Sequence, residues 1–248
     1  MSHRNMSRVW VLLVAAFVIA AIFSRRAAAD TVISLGSLQD LINLGSTGIT
    51  VGNVKYSDFT YMGSPPPGQT GLAGINPAPT ASHIGVGAFQ GGDPGLTFTT
   101  IWESAEGFNQ DSVIRYDVHV INGGIDRVGL AFDGETPAPG LLTNASVTET
   151  VAMLDGNAIG QTSTFNDGTG RSFDRLQSSL NLPKPMRDLF ITKDVAVHTP
   201  VGLGGVATVS FVDNRYHIVA VPLPSSAWGG LGLCGLMAVF EWRRRKLA

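Results

Sequence analysis

Glu103 and Glu106 stand three apart in Trp102-Glu103-Ser104-Ala105-Glu106, a carboxylate pair beside an aromatic ring. Two carboxyls on different strands, about 5–9 Å apart across a cleft, carry out glycoside hydrolysis. On one short segment the simpler reading is an exposed acidic loop. His83, His119, His198 and His217 are scattered, with no His-x-x-x-His and no carboxylate at ligand spacing, so no metal site is expected of them. Asp155-Gly156-Asn157 and Asn166-Asp167-Gly168 hold oxygen donors of the kind Ca²⁺ gathers in sets of about six to eight. Those residue types also serve turn geometry without any metal, so calcium is the minor reading and no cofactor is expected. Gly202-Leu203-Gly204-Gly205-Val206-Ala207 and Gly230-Leu231-Gly232-Leu233-Cys234-Gly235 fit a loose dinucleotide fingerprint, but the first leads into a strand and the second lies inside an apolar run. Neither offers the helix N-terminus that would hold a pyrophosphate. No Gly-x-Ser-x-Gly elbow occurs, which removes the commonest exported hydrolase class. Asn144-Ala145-Ser146 is a formal glycosylation sequon. Tyr56, Tyr61, Trp102, Tyr116 and Tyr216 are spread along the chain and define no sugar-binding platform by spacing. No catalytic residue is therefore expected.

Charge is segregated along the 248 residues. The net charge of −2 arises from 17 Lys+Arg against 19 Asp+Glu. Arg4, Arg8, Arg25 and Arg26 lie before Asp30, and Arg243, Arg244, Arg245 and Lys246 lie at the far end with Glu241. The body between Asp30 and Pro224 keeps 9 basic and 18 acidic residues, a net −9. Such a body repels a phosphate backbone, which excludes DNA or RNA as a partner, and an anionic membrane surface would not hold it either.

Each end has its own signal. Val9 to Phe23 is an uninterrupted apolar run after Arg4 and Arg8, followed by Ala27-Ala28-Ala29 and Asp30. A basic start, a short apolar run and an A-x-A exit describe a secretory signal peptide over residues 1–29, cleaved between Ala29 and Asp30. Arg25 and Arg26 sit on the side to be translocated, so an uncleaved anchor is the alternative. At the other end, Val221-Pro222-Leu223-Pro224 precedes an apolar run from Ala227 to Phe240 and then the Arg243–Lys246 cluster. Proline at 222 and 224 cannot continue a strand ladder, so the body ends there in an accessible, extended stretch. The run is helical in pattern, and its basic stop keeps that end cytoplasmic. Cys234, the one cysteine, lies in this run, where an apolar setting raises a thiol pKa. A processed body has no disulfide and must be held by its core.

The proline tetrapeptide, short apolar helix and arginine cluster, in that order at the C-terminus, resemble the PEP-CTERM sorting signal in the variant whose motif reads Val-Pro-Leu-Pro. The resemblance covers residues 221–248. It implies recognition by an exosortase, a membrane-embedded cysteine-dependent transpeptidase, cleavage near Val221, Pro222, Leu223 and Pro224, and transfer of the body to the cell surface or extracellular matrix. Leu223 replaces the motif's usual acidic residue, and Glu241 before the basic cluster is a further irregularity.

The body, residues 30–220, opens with one short helix: Ser37 can cap it, Leu38, Leu41 and Ile42 share a face, and Gly45 stops it. Beyond it the pattern alternates with period two. Ile114, Tyr116, Val118 and Val120 share one face of 113–121; Leu189, Ile191, Val195 and Val197 share one face of 188–198; and Val128, Leu130 and Phe132 and then Ala207, Val209 and Phe211 repeat the pattern. Alternation with one polar side predicts antiparallel sheet, dry on one face and wet on the other. Turn clusters at 122–124, 155–157, 166–170 and 202–205 separate the runs, the first and third carrying the Asn-Gly or Asp-Gly pairs of tight hairpins. Proline-rich stretches at 64–69 and 76–80 predict a long exposed loop. The expectation is an all-β antiparallel sandwich of about ten strands, jelly-roll in type, with one N-terminal helix, plus a signal helix and a C-terminal membrane-spanning sorting helix.

Leu38–Leu44, Ile49-Thr50-Val51-Gly52 leading to Phe59, Gly95-Leu96-Thr97-Phe98, Thr148-Glu149-Thr150-Val151 and Lys193-Asp194 resemble a family of PEP-CTERM-bearing exported proteins without assigned activity. The sequence thus predicts an exported, non-catalytic surface or matrix protein that an exosortase sorts and that associates with extracellular polysaccharide. The alternative is a secreted carbohydrate-binding or carbohydrate-active sandwich.

Overall fold

The computed structural model describes residues 31–64, 74–135, 144–166, 176–202 and 206–220. Within them lie twelve strands and one α-helix: β1 (Thr31–Ser37), α1 (Leu38–Leu44), β2 (Ile49–Val51), β3 (Val54–Gly63), β4 (Gly85–Gln90), β5 (Gly95–Ala105), β6 (Phe108–Val120), β7 (Gly124–Glu135), β8 (Asn144–Ala152), β9 (Ala158–Asn166), β10 (Gln177–Met186), β11 (Asp188–Thr199) and β12 (Val206–Val219). They form two six-stranded sheets, ordered β1-β4-β5-β12-β7-β10 (sheet A) and β2-β3-β6-β11-β8-β9 (sheet B). Every strand pairing is antiparallel. From β5 to β8 and again from β9 to β12 the chain changes sheet at each step, the winding of a jelly roll. The expected antiparallel sandwich is present, with two strands more than the period-two runs suggested.

The alternation in sequence becomes the division between core and surface. Ile114, Tyr116, Val118 and Val120 on β6 and Leu189, Ile191, Val195 and Val197 on β11 all lie in one buried cluster with Leu96, Phe98 and Trp102 of β5 and Val128, Leu130 and Phe132 of β7. Phe211 does not join Val209 inside. The β5–β12 register slips between Val209 and Phe211, and this bulge turns the inward phase to Val212, Asn214 and Tyr216. The helix is capped as expected, and the cap is reciprocal: the Asp40 N–H donates to Ser37 Oγ at 3.2 Å while the Ser37 N–H donates to the Asp40 carboxylate at 2.9 Å. These bonds hold the Asp40 carboxyl below its usual range. Leu38 and Leu41 are buried among the sandwich residues.

Two local expectations need correction. Asn122-Gly123-Gly124 is not a hairpin turn, because β6 and β7 belong to different sheets. Gly123, at φ 105, takes the chain across the sandwich instead, and a Cβ there would stand 2.6 Å from the Val219 carbonyl oxygen. The second proline stretch is also more than an exposed loop. Gln110 Nε2 donates to the Pro77 carbonyl at 2.7 Å and the Tyr61 hydroxyl to the Pro79 carbonyl at 2.5 Å, fixing it to β6 and β3.

Candidate functional site

Three polar residues occupy inward positions where the strand pattern calls for apolar ones: Glu149 on β8, Lys193 on β11 and Asn214 on β12, all fully buried. Lys193 and Glu149 are direct cross-strand partners in sheet B, and Asn214 faces them from sheet A. The Lys193 ammonium donates to Glu149 Oε2. Asn214 Nδ2 donates to Glu149 Oε1 at 3.1 Å and to the Gly129 carbonyl at 3.0 Å. On the other side of the amide, Oδ1 accepts from the Tyr116 hydroxyl at 2.5 Å and from the Tyr216 hydroxyl, and the two phenol oxygens lie 3.0 Å apart.

Aromatic rings wall this cluster. Phe59 stacks on Tyr116 with centroids 5.2 Å apart, Phe98 lies 5.9 Å from Tyr116, and Tyr56 meets both Tyr116 and Tyr216 at 6.4 and 6.2 Å. In such a setting charge is costly. Burial pushes the Glu149 carboxyl up and the Lys193 ammonium down, each opposed by the partner's charge. Burial also raises both tyrosine hydroxyls, which stay protonated as donors. Among the described residues, the buried Tyr56 hydroxyl and Trp102 indole N–H have no hydrogen-bond partner.

On the opposite side of β12, Asp213 and Arg215 face outward from sheet A. An open groove of about 370 Å³ runs there, lined by Gly129, Leu130, Ala131, Gln177, Ser178, Asp213 and Arg215. The residues directly across from Asp213 and Arg215 on β7 are Ala131 and Gly129, so the floor is low because its side chains are small. Arg215 also lies over the Phe89 ring, 3.9 Å from its centroid. Phe89 in turn lines a second cleft of about 470 Å³ between the β2–β3 turn and the β4–β5 turn, with Asn53, Gln90 and Ile218. Half-burial raises the Asp213 carboxyl, against a Thr97 hydrogen bond and the nearby positive charge of Arg215 and Lys193. The outer face of sheet B is different in kind, carrying Asp111, Asp117, Asp188 and Asp194. Burial and the adjacent Asp111 raise Asp194 there to about 6.

The residues singled out by spacing do not converge. Glu103 is exposed on β5, and Glu106 lies in the following turn, accepting from the Gly202 N–H. His83 meets Thr80 at 2.8 Å, His119 meets Asp188 at 2.5 Å, His217 meets Asp126 at 2.7 Å and His198 contacts Asn109, four separate local pairs. Asp155 is spent within its own β8–β9 turn, accepting from the Asn157 backbone and side chain at 3.0 and 2.8 Å. Among the described residues no group of three or more His, Cys, Asp or Glu could hold a metal ion. Asn144 opens β8 opposite His198. Ala27, Ala29, Asp30, Val221 to Pro224, Cys234 and Arg243 to Lys246 lie outside the described residues, as do Asp167 and Gly168. Among the described residues no helix is long and apolar enough to cross a membrane.

The tyrosines that look dispersed in sequence are gathered in space: Tyr56, Tyr116 and Tyr216 meet inside the sandwich, and Trp102 is fully buried with them in the core. The Lys193–Glu149–Asn214 cluster escapes motif reading because its members come from three strands. Its signal is nevertheless present. Lys193 interrupts Leu189-x-Ile191-x-x-x-Val195-x-Val197 on the apolar phase, as Glu149 does between Val147 and Val151.

No family profile and no curated protein matches the sequence. Among solved structures, the chain is similar to TmCBM61, determined in complex with β-1,4-galactotriose, at 14% identity over 64% of this chain and 88% of that one, with a TM-score of 0.32. It is similar to the xylan-binding module CBM15 at 11% identity over 77% of this chain and 100% of that one, with a TM-score of 0.28. A third likeness is to a structure reported for the promiscuous specificity of carbohydrate-binding modules of the β-sandwich superfamily, at 14% identity over 79% of this chain and 64% of that one, with a TM-score of 0.30. Similarity at this level assigns neither ligand nor activity.

Proposed function

We propose that the chain is an exported surface or matrix module, without catalysis of external substrates, that holds a neutral polysaccharide on the outer face of sheet A. The groove beside β12 carries this reading: Asp213, Arg215 and Gln177 rise around a floor of Gly129 and Ala131. Neighbouring sugar hydroxyls match planar groups that present two hydrogen-bonding atoms at fixed spacing, as carboxylate, guanidinium and carboxamide do. The groove is open rather than enclosed, which suits a segment of polymer passing through. A body of net −9 disfavours a uronate-bearing polymer and leaves a neutral one. In native gels containing a neutral pentosan, a neutral hexosan or a uronate polymer, the full chain should be retarded by a neutral glycan, and Arg215→Ala should weaken that binding about tenfold. Equal migration in every gel would overturn the reading.

Delivery belongs to the ends of the chain. In this reading an exosortase-type transpeptidase takes Val221–Pro224 as its substrate, and the apolar run with Arg243–Lys246 is left behind in the membrane. The intact mass of the surface-borne protein should then correspond to a chain ending within or beside Val221–Pro224. A mass that includes Lys246-Leu247-Ala248 would instead make the tail a permanent anchor.

A further inference from the structure

The interior cluster is fully buried, away from the outer groove, and it brings an amine and a primary amide onto one shared carboxylate. One carboxylate, Glu149, bridges an amine and an amide, with Lys193 Nζ on Oε2 and Asn214 Nδ2 on Oε1 at 3.1 Å. The amide oxygen on the far side receives two phenol hydroxyls, from Tyr116 at 2.5 Å and from Tyr216. We propose that Lys193 and Asn214 become joined by an intramolecular amide bond between Nζ and Cγ, with Glu149 carrying the proton, so that β11 of sheet B is covalently tied to β12 of sheet A.

Burial draws both groups toward the states the reaction uses. Burial lowers Lys193 toward the neutral amine, which is the nucleophile, and raises Glu149 toward the neutral acid, which can donate. Attack of the Nζ lone pair on Cγ forms the new C–N bond and pushes the carbonyl electrons onto Oδ1, where the Tyr116 and Tyr216 hydroxyls are already placed to hold the developing charge. Glu149 gives its proton to Nδ2 and recovers one from Nζ. Collapse of the tetrahedral centre breaks the Cγ–Nδ2 bond and releases ammonia. Amine and primary amide thereby become secondary amide and ammonia, no oxidant or cofactor takes part, and Glu149 begins and ends as the neutral acid. The rings of Tyr56, Phe59 and Phe98 pack on Tyr116, and the full burial of Lys193, Glu149 and Asn214 keeps out the water that would compete as nucleophile.

Trypsin makes the test independent of how the chain ends are processed, because Arg187, Lys193 and Arg215 are successive cleavage positions. A linked Lys193 cannot be cut. Folded, purified full-length chain should therefore yield one peptide from Asp188 to Arg215, lighter than its sequence by one ammonia, about 17 Da. Glu149→Gln should yield two peptides, 188–193 and 194–215, at full sequence mass. Asn214→Asp should give a linked peptide of the same mass as the wild type, because water leaves in place of ammonia; this variant decides the matter if Glu149→Gln does not fold. Cleavage at Lys193 with both wild-type peptides at full mass would overturn the proposal. So would an ammonia loss confined to 194–215 with Lys193 cut, the signature of a succinimide at Asn214. A link that survives in Glu149→Gln would overturn the proton-carrying role.

Discussion

Glu149→Ala should lower the stability of the sandwich by about 3–5 kcal/mol in equilibrium urea denaturation, because it leaves the Lys193 amino group buried without its hydrogen-bonding and charge partner. Both side chains are fully shielded from solvent, so screening gives little relief. Asn214 would keep its bond to the Gly129 carbonyl but lose the carboxylate that orders its amide. The same physics predicts that Lys193→Met combined with Glu149→Leu recovers a substantial part of the loss, since a paired charge in a dry core is replaced by packing of similar volume. A Glu149→Ala protein within about 1 kcal/mol of the wild type would show that Lys193 sheds its proton or reaches water at little cost, and that the pair is not what holds the core. Because the cross-link also requires Glu149, a double variant that recovers only partly separates the covalent contribution from the electrostatic one.

Gly95→Ala should cost about 3 kcal/mol, at the severe end of overpacking, through backbone rather than side-chain crowding. A Cβ at Gly95 would stand 1.8 Å from the Asn214 carbonyl oxygen, 2.8 Å from its carbon and 3.0 Å from the Arg215 Cα. None of these atoms can rotate away, so β5 and β12 must part. The two residues displaced are the buried amide of the interior cluster and the guanidinium of the outer groove, so one methyl group disturbs both faces of the strand. Thermal denaturation measures the loss, and an unchanged midpoint would show that β5 and β12 pair in another register.

The wall of each sheet was legible in sequence because period-two alternation is a direct imprint of the pleat: β6 and β11 have the predicted inward residues without exception. The capped helix was legible for the same local reason, Ser37 and Gly45 marking its ends. What could not be read is whatever depends on which strands become neighbours. Asn122-Gly123-Gly124 has hairpin composition, yet whether the chain turns back within a sheet or crosses to the other is decided by packing at long range. The Val209–Phe211 bulge likewise shifts the phase of β12 and alone determines that Asn214, not Asp213, faces inward. The buried cluster was visible only as two polar residues, Glu149 and Lys193, in apolar phase, and its meaning needed the partners that β8, β11 and β12 bring together.

Position in the chain and position in the sheet are reversed for β12. It is the last of the described strands, yet it is hydrogen-bonded on both sides, to β5 and to β7, deep inside sheet A. Until Val206–Val219 arrives, that sheet exists only as two fragments, β1-β4-β5 and β7-β10, and the pairing of Trp102 with Val209 must close a loop of more than a hundred residues. Ordering of this kind is slow, since distant segments lose their freedom before the contacts that reward them form. On the proposed export route, a chain still being threaded through a membrane would have no finished sandwich to obstruct its passage. The strand that completes the sandwich ends at Val219, just short of Val221–Pro224, so a cut at that motif would come after the last residue the sheet requires.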